Sequence, residues 1–142
     1  MEPNQHENWY YLYSKSLNIR LVSYCARMKK NYSSILADLN DTVVQLTKGI
    51  PDVMEGYMAM SSVAKADGCL DKKTKGLIAM AIGVAVRCGA CIASHTKAAR
   101  KNGASREEVL EALGIAVFMG GGPSVVYASQ ALEAFDQFSK DT

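Results

Sequence analysis

Residues 77–95 read LIAMAIGVAVRCGACIASH, an apolar run that leads directly into two cysteines and a histidine. A helix with no polar face is buried inside a domain or between subunits, because no side of it suits water. After the run, Cys88, Cys91 and His95 have helical spacing, so at about 100° per residue their side chains fall within roughly 60° of one another. The stretch therefore predicts a buried helix followed by a second helix with three reactive groups on one face. The opposite face of that second helix, which carries Lys97, Arg100 and Lys101, suits solvent.

Length and composition restrict the class of protein. The chain has 142 residues, of which 49% are hydrophobic and 21% charged, which fits one globular domain and excludes a disordered or fibrous protein. The net charge is +2 and the basic residues are dispersed, so nothing indicates nucleic acid. The N-terminus lacks the pattern of a signal peptide, and the apolar run at 77–86 is too short to span a membrane. We therefore expect a soluble cytoplasmic protein with no membrane partner, in which a CxxC pair is catalytic or metal-binding rather than a structural disulfide.

Apolar periodicity and capping signals predict helices throughout the chain. Asp71 is a good N-cap, Ser105 with Glu108 forms a capping box, and Gly49 and Gly103 are helix ends. No segment alternates with period two, so the fold class is all-α. The expected helices cover one or two stretches within 9–30, then 32–46, 52–66, 72–86, the cysteine helix to about 102, 105–119 and 124–139.

The cysteine–histidine face suits thiol redox chemistry. A thiolate is the reactive form of cysteine, and its pKa falls at a helix N-terminus, beside a cation or in a CxxC pair. All three conditions are expected here, since helix amides should begin near Cys88, Arg87 adjoins it and the two cysteines form a CxxC pair. His95 is in addition within reach as a base. One cysteine can attack an oxidant or a disulfide, and the other can then close an intramolecular disulfide.

Other interpretations of the same residues remain open. Zinc could be held by Cys88, Cys91 and His95 with Cys25 or Cys69 as fourth ligand, although zinc CxxC pairs usually lie in turns rather than on one helix. The cysteines could instead be a purely structural pair. Attachment of c-type haem is excluded, because it requires histidine directly after the second cysteine. We expect Cys25 and Cys69 to be buried small hydrophobic residues and His6 to be solvated.

Several motifs follow one another in order along the chain: Leu70–Lys75, the apolar helix, Arg87-Cys88-x-x-Cys91-x-x-x-His95, Ala98, Asn102–Glu108 and Met119–Pro123. Together they resemble the carboxymuconolactone decarboxylase family, and more narrowly its alkylhydroperoxidase D-like branch, which carries CxxCxxxH. The resemblance covers about residues 51–139.

The resemblance implies an AhpD-like helical bundle over 51–142, with 1–50 as an N-terminal helical extension, assembled as a homo-trimer or homo-hexamer. It also implies a peroxiredoxin-like antioxidant oxidoreductase without cofactor or metal. Cys91 would attack the peroxide, Cys88 would resolve and face the reductant, and His95 would relay protons. The substrate would be a hydroperoxide or a disulfide, and an external thiol donor, lipoyl or thioredoxin-like, would restore the pair.

The chain departs from this family at one position. Many members carry a glutamate of the proton relay where this chain has Gly76. Glu55 on the preceding helix, or an acid from another subunit, is a candidate substitute, and Gly76 itself suggests close helix packing. The family name also raises a lyase acting on a muconolactone acid as an alternative, although that chemistry needs no pair of thiols.

Overall fold

The computed structural model describes residues 30–140, so the expectations for the N-terminal aromatic segment, His6 and Cys25 lie outside the described residues. Within that range the chain forms helices and no strands, which confirms the all-α prediction. From Tyr32 onward these residues belong to one compact unit. The helices are α1 (Tyr32–Gly49), α2 (Pro51–Lys65), α3 (Lys72–Ala85), α4 (Gly89–Lys101), α5 (Arg106–Gly120) and α6 (Gly122–Phe138).

The helix starts use the side chains that the sequence indicates. The Asp71 carboxylate accepts a hydrogen bond of 2.7 Å from the Thr74 amide at the start of α3. At the start of α5 the Ser105 hydroxyl accepts from the Glu108 amide at 3.2 Å, and the Glu108 carboxylate accepts from the Ser105 amide at 2.8 Å. Glu108 also accepts from the Lys73 ammonium at 2.6 Å, which joins the first turns of α3 and α5. Such caps typically contribute about 1 kcal/mol each.

The core is built around α3, which packs against α4, α5 and α6. Full burial of a large apolar side chain contributes roughly 1.5–3 kcal/mol. The largest fully buried apolar side chains of this core are Met80 and Val84 of α3, Ile92 of α4 and Val109 of α5. Alanines fill much of the remaining space, so the helix axes can approach closely and the position of α4 on α3 is well defined.

The first two helices differ in how they join this core. Tyr32 and Leu36 of α1 are buried against Ala93 of α4 and Phe138 of α6. By contrast, no residue of α2 is buried. Several apolar side chains of α2 are more than half exposed, namely Val53, Tyr57, Met58, Met60 and Val63. The apolar pattern of α2 therefore has no counterpart within the described part of this chain.

The apolar helix α3 is buried on one face only. Met80 and Val84 are inaccessible, whereas Ile78 and Ile82 on the other face are 45% and 56% exposed. On α5, Phe118 is 80% exposed. We expected α3 to be buried on all sides. In the single chain only the side with Met80 and Val84 is buried, and the side with Ile78 and Ile82 is exposed to solvent. No helix among residues 30–140 combines the length and the hydropathy needed to cross a membrane.

Candidate active site

The candidate site begins at the reversal between α3 and α4. The Arg87 amide donates to the Val84 carbonyl at 3.2 Å, and the Cys88 amide donates to the Gly83 carbonyl at 2.9 Å. These two bonds form a Schellman ending of α3, and they require left-handed backbone at Arg87, whose φ is 61°. The reversal brings the next residue, Cys88, to the first turn of α4.

Cys88 is the N-cap of α4, so it precedes the helix instead of lying on its face. The Cys91 amide donates to the Cys88 sulfur at 3.2 Å. The two cysteines form a disulfide, with their Cα atoms 5.2 Å apart. The prediction that helix-start amides lie near the pair is confirmed, and an amide aimed at the Cys88 sulfur stabilises negative charge there when the disulfide is reduced.

A glycine of α3 allows the pair to sit close to the core. A Cβ atom at Gly83 would be 3.4 Å from both the Cys91 Cβ and the Ile92 amide nitrogen. Both cysteines remain partly exposed, while Ile92, which follows Cys91 in sequence, is fully buried in the core. The disulfide is therefore fixed on the protein side by packing and open on the other side to a reactant.

His95 lies one helical turn after Cys91 and is partly buried. Burial lowers the pKa of the His95 imidazole below its ordinary value of 6.5, and the positive charge of Lys65, the last residue of α2, lowers that pKa further. The imidazole is therefore neutral near pH 7 and can accept a proton. Sequence reasoning did not identify Lys65, since only the folded chain brings the end of α2 toward α4.

The candidate relay acid, Glu55, lies on α2. Glu55 is exposed on α2, ten residues before Lys65, which corresponds to about 15 Å along the helix. At Gly76 a Cβ atom would lie 3.2 Å from the Ala99 Cα, so this position serves the close contact of α3 with α4. Close packing was the expectation for this glycine, and it is confirmed.

Two other expectations about α4 and the cysteines change. Arg100, expected in solvent, is partly buried with its guanidinium carbon 5.7 Å from the centre of the Phe135 ring. Lys97 is exposed and lies over the Phe138 ring at 5.7 Å. The expectation that Cys69 is buried is wrong, because Cys69 is a free, exposed cysteine in the loop between α2 and α3. Loop position outweighs the usual preference of cysteine for the interior.

Neither the zinc ligand set nor any other group of three His, Cys, Asp or Glu side chains is arranged to hold a metal ion within residues 30–140. The fourth ligand considered from the sequence, Cys69, lies in the loop before α3, and Cys25 is outside the described residues.

An apolar groove between α3 and α5 also opens to the surface, with a volume of about 360 Å³. The sequence did not predict this groove. The residue pattern of a helix shows how apolar the helix is, but it does not show which of its sides the other helices leave uncovered. The groove extends along α3 to Ala85, three residues before Cys88. Its other large lining residues are Leu77, Ile78, Ile82, Ile115 and Met119.

The sequence model of the carboxymuconolactone decarboxylase family matches residues 51–134. The chain belongs to this family. The match spans the helices from α2 to most of α6 and includes the whole CxxCxxxH segment. The resemblance inferred from the motifs is thereby confirmed.

Two bacterial proteins are similar to this chain in sequence. A protein of the cox locus of Paracoccus denitrificans is 41% identical over 83 residues, spanning 58% of this chain and 75% of that protein. A Cupriavidus necator protein is 36% identical over 109 residues, spanning 77% of this chain and 96% of its own length.

Among solved structures, a carboxymuconolactone decarboxylase family protein of Legionella pneumophila, in its apo form, is 49% identical with a TM-score of 0.74, over 76% of this chain and 96% of that one. A family member of Thermotoga maritima, for which a role in the antioxidative response has been suggested, is 28% identical with a TM-score of 0.65, over 78% of this chain and 92% of that one.

Proposed function

We propose that this protein is a thiol-dependent oxidoreductase, an alkylhydroperoxidase-like peroxidase or a disulfide reductase, that cycles Cys88 and Cys91 between dithiol and disulfide. The observation that supports it most directly is the Cys88–Cys91 disulfide at the first turn of α4, one turn before His95. No cofactor is needed for this chemistry. The suggested antioxidative role of the Thermotoga family member is consistent with the proposal.

With a hydroperoxide, the Cys91 thiolate attacks the terminal peroxide oxygen and breaks the O–O bond. The sulfur becomes a sulfenic acid, and the alcohol leaves after taking up a proton. The Cys88 thiolate then attacks the Cys91 sulfur, forms the disulfide and releases water. The neutral His95 imidazole, one turn from Cys91, supplies the base that takes the thiol proton and returns it to the leaving oxygen.

Thiol–disulfide exchange uses the same pair without peroxide. A thiolate of the reduced pair attacks a substrate disulfide, and the second cysteine displaces the mixed disulfide, so two electrons pass from the protein to the substrate. An external dithiol reverses these steps and restores the protein. Because Gly76 replaces the family's relay glutamate, we expect exchange to be the faster reaction and peroxide reduction the slower one.

Self-association is part of the proposal. The outer face of α3, the exposed end of α5 and nearly all apolar side chains of α2 face solvent in the single chain. Exposed apolar surface of this extent is typical of an interface between subunits. We propose a homo-trimer or homo-hexamer, as the family resemblance implies, in which these surfaces are covered.

Turnover with purified protein tests the function. The assay follows consumption of cumene hydroperoxide and, separately, of oxidised lipoamide, with a dithiol or an enzymatic reductant as electron source. Wild-type protein is expected to turn over at least one substrate, and the Cys88→Ser/Cys91→Ser double variant neither. Equal rates in both proteins would refute the proposal. A lactone-acid assay on the same double variant addresses the lyase alternative, since that activity would survive loss of both thiols.

A further inference from the structure

Two helices of this chain end in the same backbone motif with different residues at its left-handed position. After α4, Gly103 has φ 85°, its amide donates to the Arg100 carbonyl, and the Ala104 amide donates to the Ala99 carbonyl, both at 3.0 Å. After α3, Arg87 has φ 61° and occupies the position that corresponds to Gly103. Glycine is the usual residue there, because a Cβ atom is strained in left-handed backbone.

Arg87 is the only residue other than glycine with positive φ in the described range, and it directly precedes the disulfide. The strain is not offset by packing, since Arg87 is exposed. Among the residues described, no hydrogen bond or ion pair involves its guanidinium group. Strained backbone beside a reactive group points to a function of the side chain.

The charge distribution indicates what that function is. From residue 72 to residue 106 the chain contains no aspartate or glutamate, so α3, Arg87 and α4 carry only positive charges. The carboxylate that reaches α3 from α5 is Glu108, which pairs with Lys73, fourteen residues and about 20 Å along the helix before Arg87. Within residues 30–140, the guanidinium group of Arg87 is therefore a positive charge without an ion-pair partner, one residue from Cys88.

Other cations of the same segment are held elsewhere. Lys72 pairs with Asp67 at 2.7 Å, and the Lys75 ammonium donates to the Ala66 carbonyl at 2.6 Å. Arg100 and Lys97 lie over phenylalanine rings of α6. Lys65 of α2 is another exposed cation of this region, and its charge acts on His95. Within residues 30–140, Arg87 is the exposed cation directly adjacent in sequence to the disulfide.

We propose that Arg87 is a substrate-positioning residue that favours anionic dithiol and disulfide reactants at the Cys88–Cys91 pair. This inference rests on the proposed redox function. It adds that the preferred dithiol or disulfide reactant is negatively charged. In the reductive half of the cycle, an anionic dithiol gives up two electrons and two protons. Its thiolates break the protein disulfide in two exchanges, the protein becomes a dithiol, and the donor closes its own S–S bond.

Dihydrolipoate and dihydrolipoamide form a matched pair of probes. They share the same dithiol, but dihydrolipoate carries a negatively charged carboxylate where dihydrolipoamide carries a neutral amide. The oxidised protein is mixed with each, and formation of the dithiolane product is followed at low ionic strength. We expect wild-type protein to react about three- to tenfold faster with dihydrolipoate, and the preference to shrink in high salt as charges are screened. Arg87→Lys should keep the preference, whereas Arg87→Gly and Arg87→Gln should lose it.

A stability readout separates this role from a structural one. Because glycine relieves the left-handed strain, Arg87→Gly should unfold a few degrees higher than wild type while losing its preference for the anion. Lys101→Gln, which removes an exposed cation at the far end of α4, serves as the control and should keep the preference.

The outcomes distinguish the two proposals. If the oxidised protein reacts with neither dithiol, the redox function itself fails. If both dithiols reduce the wild-type protein at equal rates, the redox function stands and the inference about anionic reactants is refuted. If Arg87→Gly and Arg87→Gln keep the wild-type preference for dihydrolipoate, the assignment to Arg87 is refuted.

Discussion

Gly76 of α3 lies so close to Ala99 of α4 that a Cβ atom at position 76 would be 3.2 Å from the Ala99 Cα and 3.3 Å from its nitrogen. These are backbone atoms and cannot move aside as a flexible side chain can. Glycine at position 76 is what allows α3 and α4 to approach this closely. A larger side chain at position 76 requires α4, and with it His95, to move away from α3.

The closeness of this contact predicts a stability difference between two glycine-to-alanine variants. Gly56 is helical on the exposed α2, and apart from its own helix backbone a Cβ atom at this position would meet no described group within 4 Å, so Gly56→Ala should gain up to about 1 kcal/mol from helix propensity. Gly76→Ala gains the same propensity but must overpack against Ala99, at about 1–3 kcal/mol. Denaturant unfolding should therefore place Gly76→Ala about 1–3 kcal/mol below Gly56→Ala. Equal free energies of unfolding would contradict the tight contact.

The single cysteine variants test the assignment of roles. Cys91→Ser should consume no hydroperoxide, because the attacking sulfur is absent. Cys88→Ser should consume one equivalent and stop, with a sulfenic acid on Cys91 that a dimedone reagent captures. Cys69→Ser is the matched control, since Cys69 is exposed and outside the pair, and should behave as wild type. The reverse pattern, with the sulfenic acid on Cys88, would overturn the assignment. The attacking sulfur would then be that of Cys88, which accepts the hydrogen bond from the Cys91 amide.

The environment of His95 predicts the pH dependence of the reaction. Burial and Lys65 lower its pKa below 6.5, so the base is neutral and active at neutral pH and is lost only as the pH falls below that value. Lys65→Met removes the positive charge, so the pKa of His95 should rise and the acidic limb of the rate profile should move toward neutral pH. Lys48→Met on α1 should leave the limb in place. An unchanged limb in Lys65→Met would show that the charge of Lys65 does not act on the base.

The same shift predicts how stability depends on pH. Between the lowered pKa of folded His95 and the ordinary value of 6.5, the unfolded chain binds more protons than the folded one. This contribution to stability is complete above pH 6.5 and is lost as the pH falls through that window. His95→Gln should remove the dependence, which thermal melts at a series of pH values measure. A slope in His95→Gln equal to that of wild type would assign the dependence to another group.

The exposed apolar side chains predict an effect on assembly. Phe118 of α5 is 80% exposed, so Phe118→Glu should leave the fold of the single chain intact and dissociate the proposed oligomer. Light scattering after size exclusion measures the mass, and circular dichroism verifies the helices. Lys101→Glu, a charge change at an exposed polar position, should keep the wild-type mass. A wild-type protein that is monomeric at all concentrations would contradict self-association.

Sequence patterns identified the elements whose signals are local. The N-cap of α3 at Asp71, the capping box of α5 and the left-handed Gly103 each depend on neighbouring residues, and the structure has all three. The helical spacing also placed His95 one turn from Cys91.

Features that depend on how helices meet were not predictable in the same way. The left-handed conformation of Arg87 has no glycine to signal it, and it moves Cys88 from the helix face to the N-cap. The influence of Lys65 on His95 requires the end of α2 to come near α4. Exposure of Cys69 follows from its loop, not from its residue type. An apolar residue pattern predicts that one face of a helix is covered, but it does not say whether the surface that packs on this face belongs to the same chain or to another subunit.

The most direct test of the central claim is a single turnover of fully reduced protein. Stopped-flow measurement of cumene hydroperoxide loss, and in parallel of oxidised lipoamide loss, is followed by peptide mass mapping of the product. We predict that one equivalent of at least one oxidant is consumed per chain and that a Cys88–Cys91 disulfide forms at the same rate. A pair that stays reduced with both oxidants would contradict the account and leave the two cysteines with a structural role.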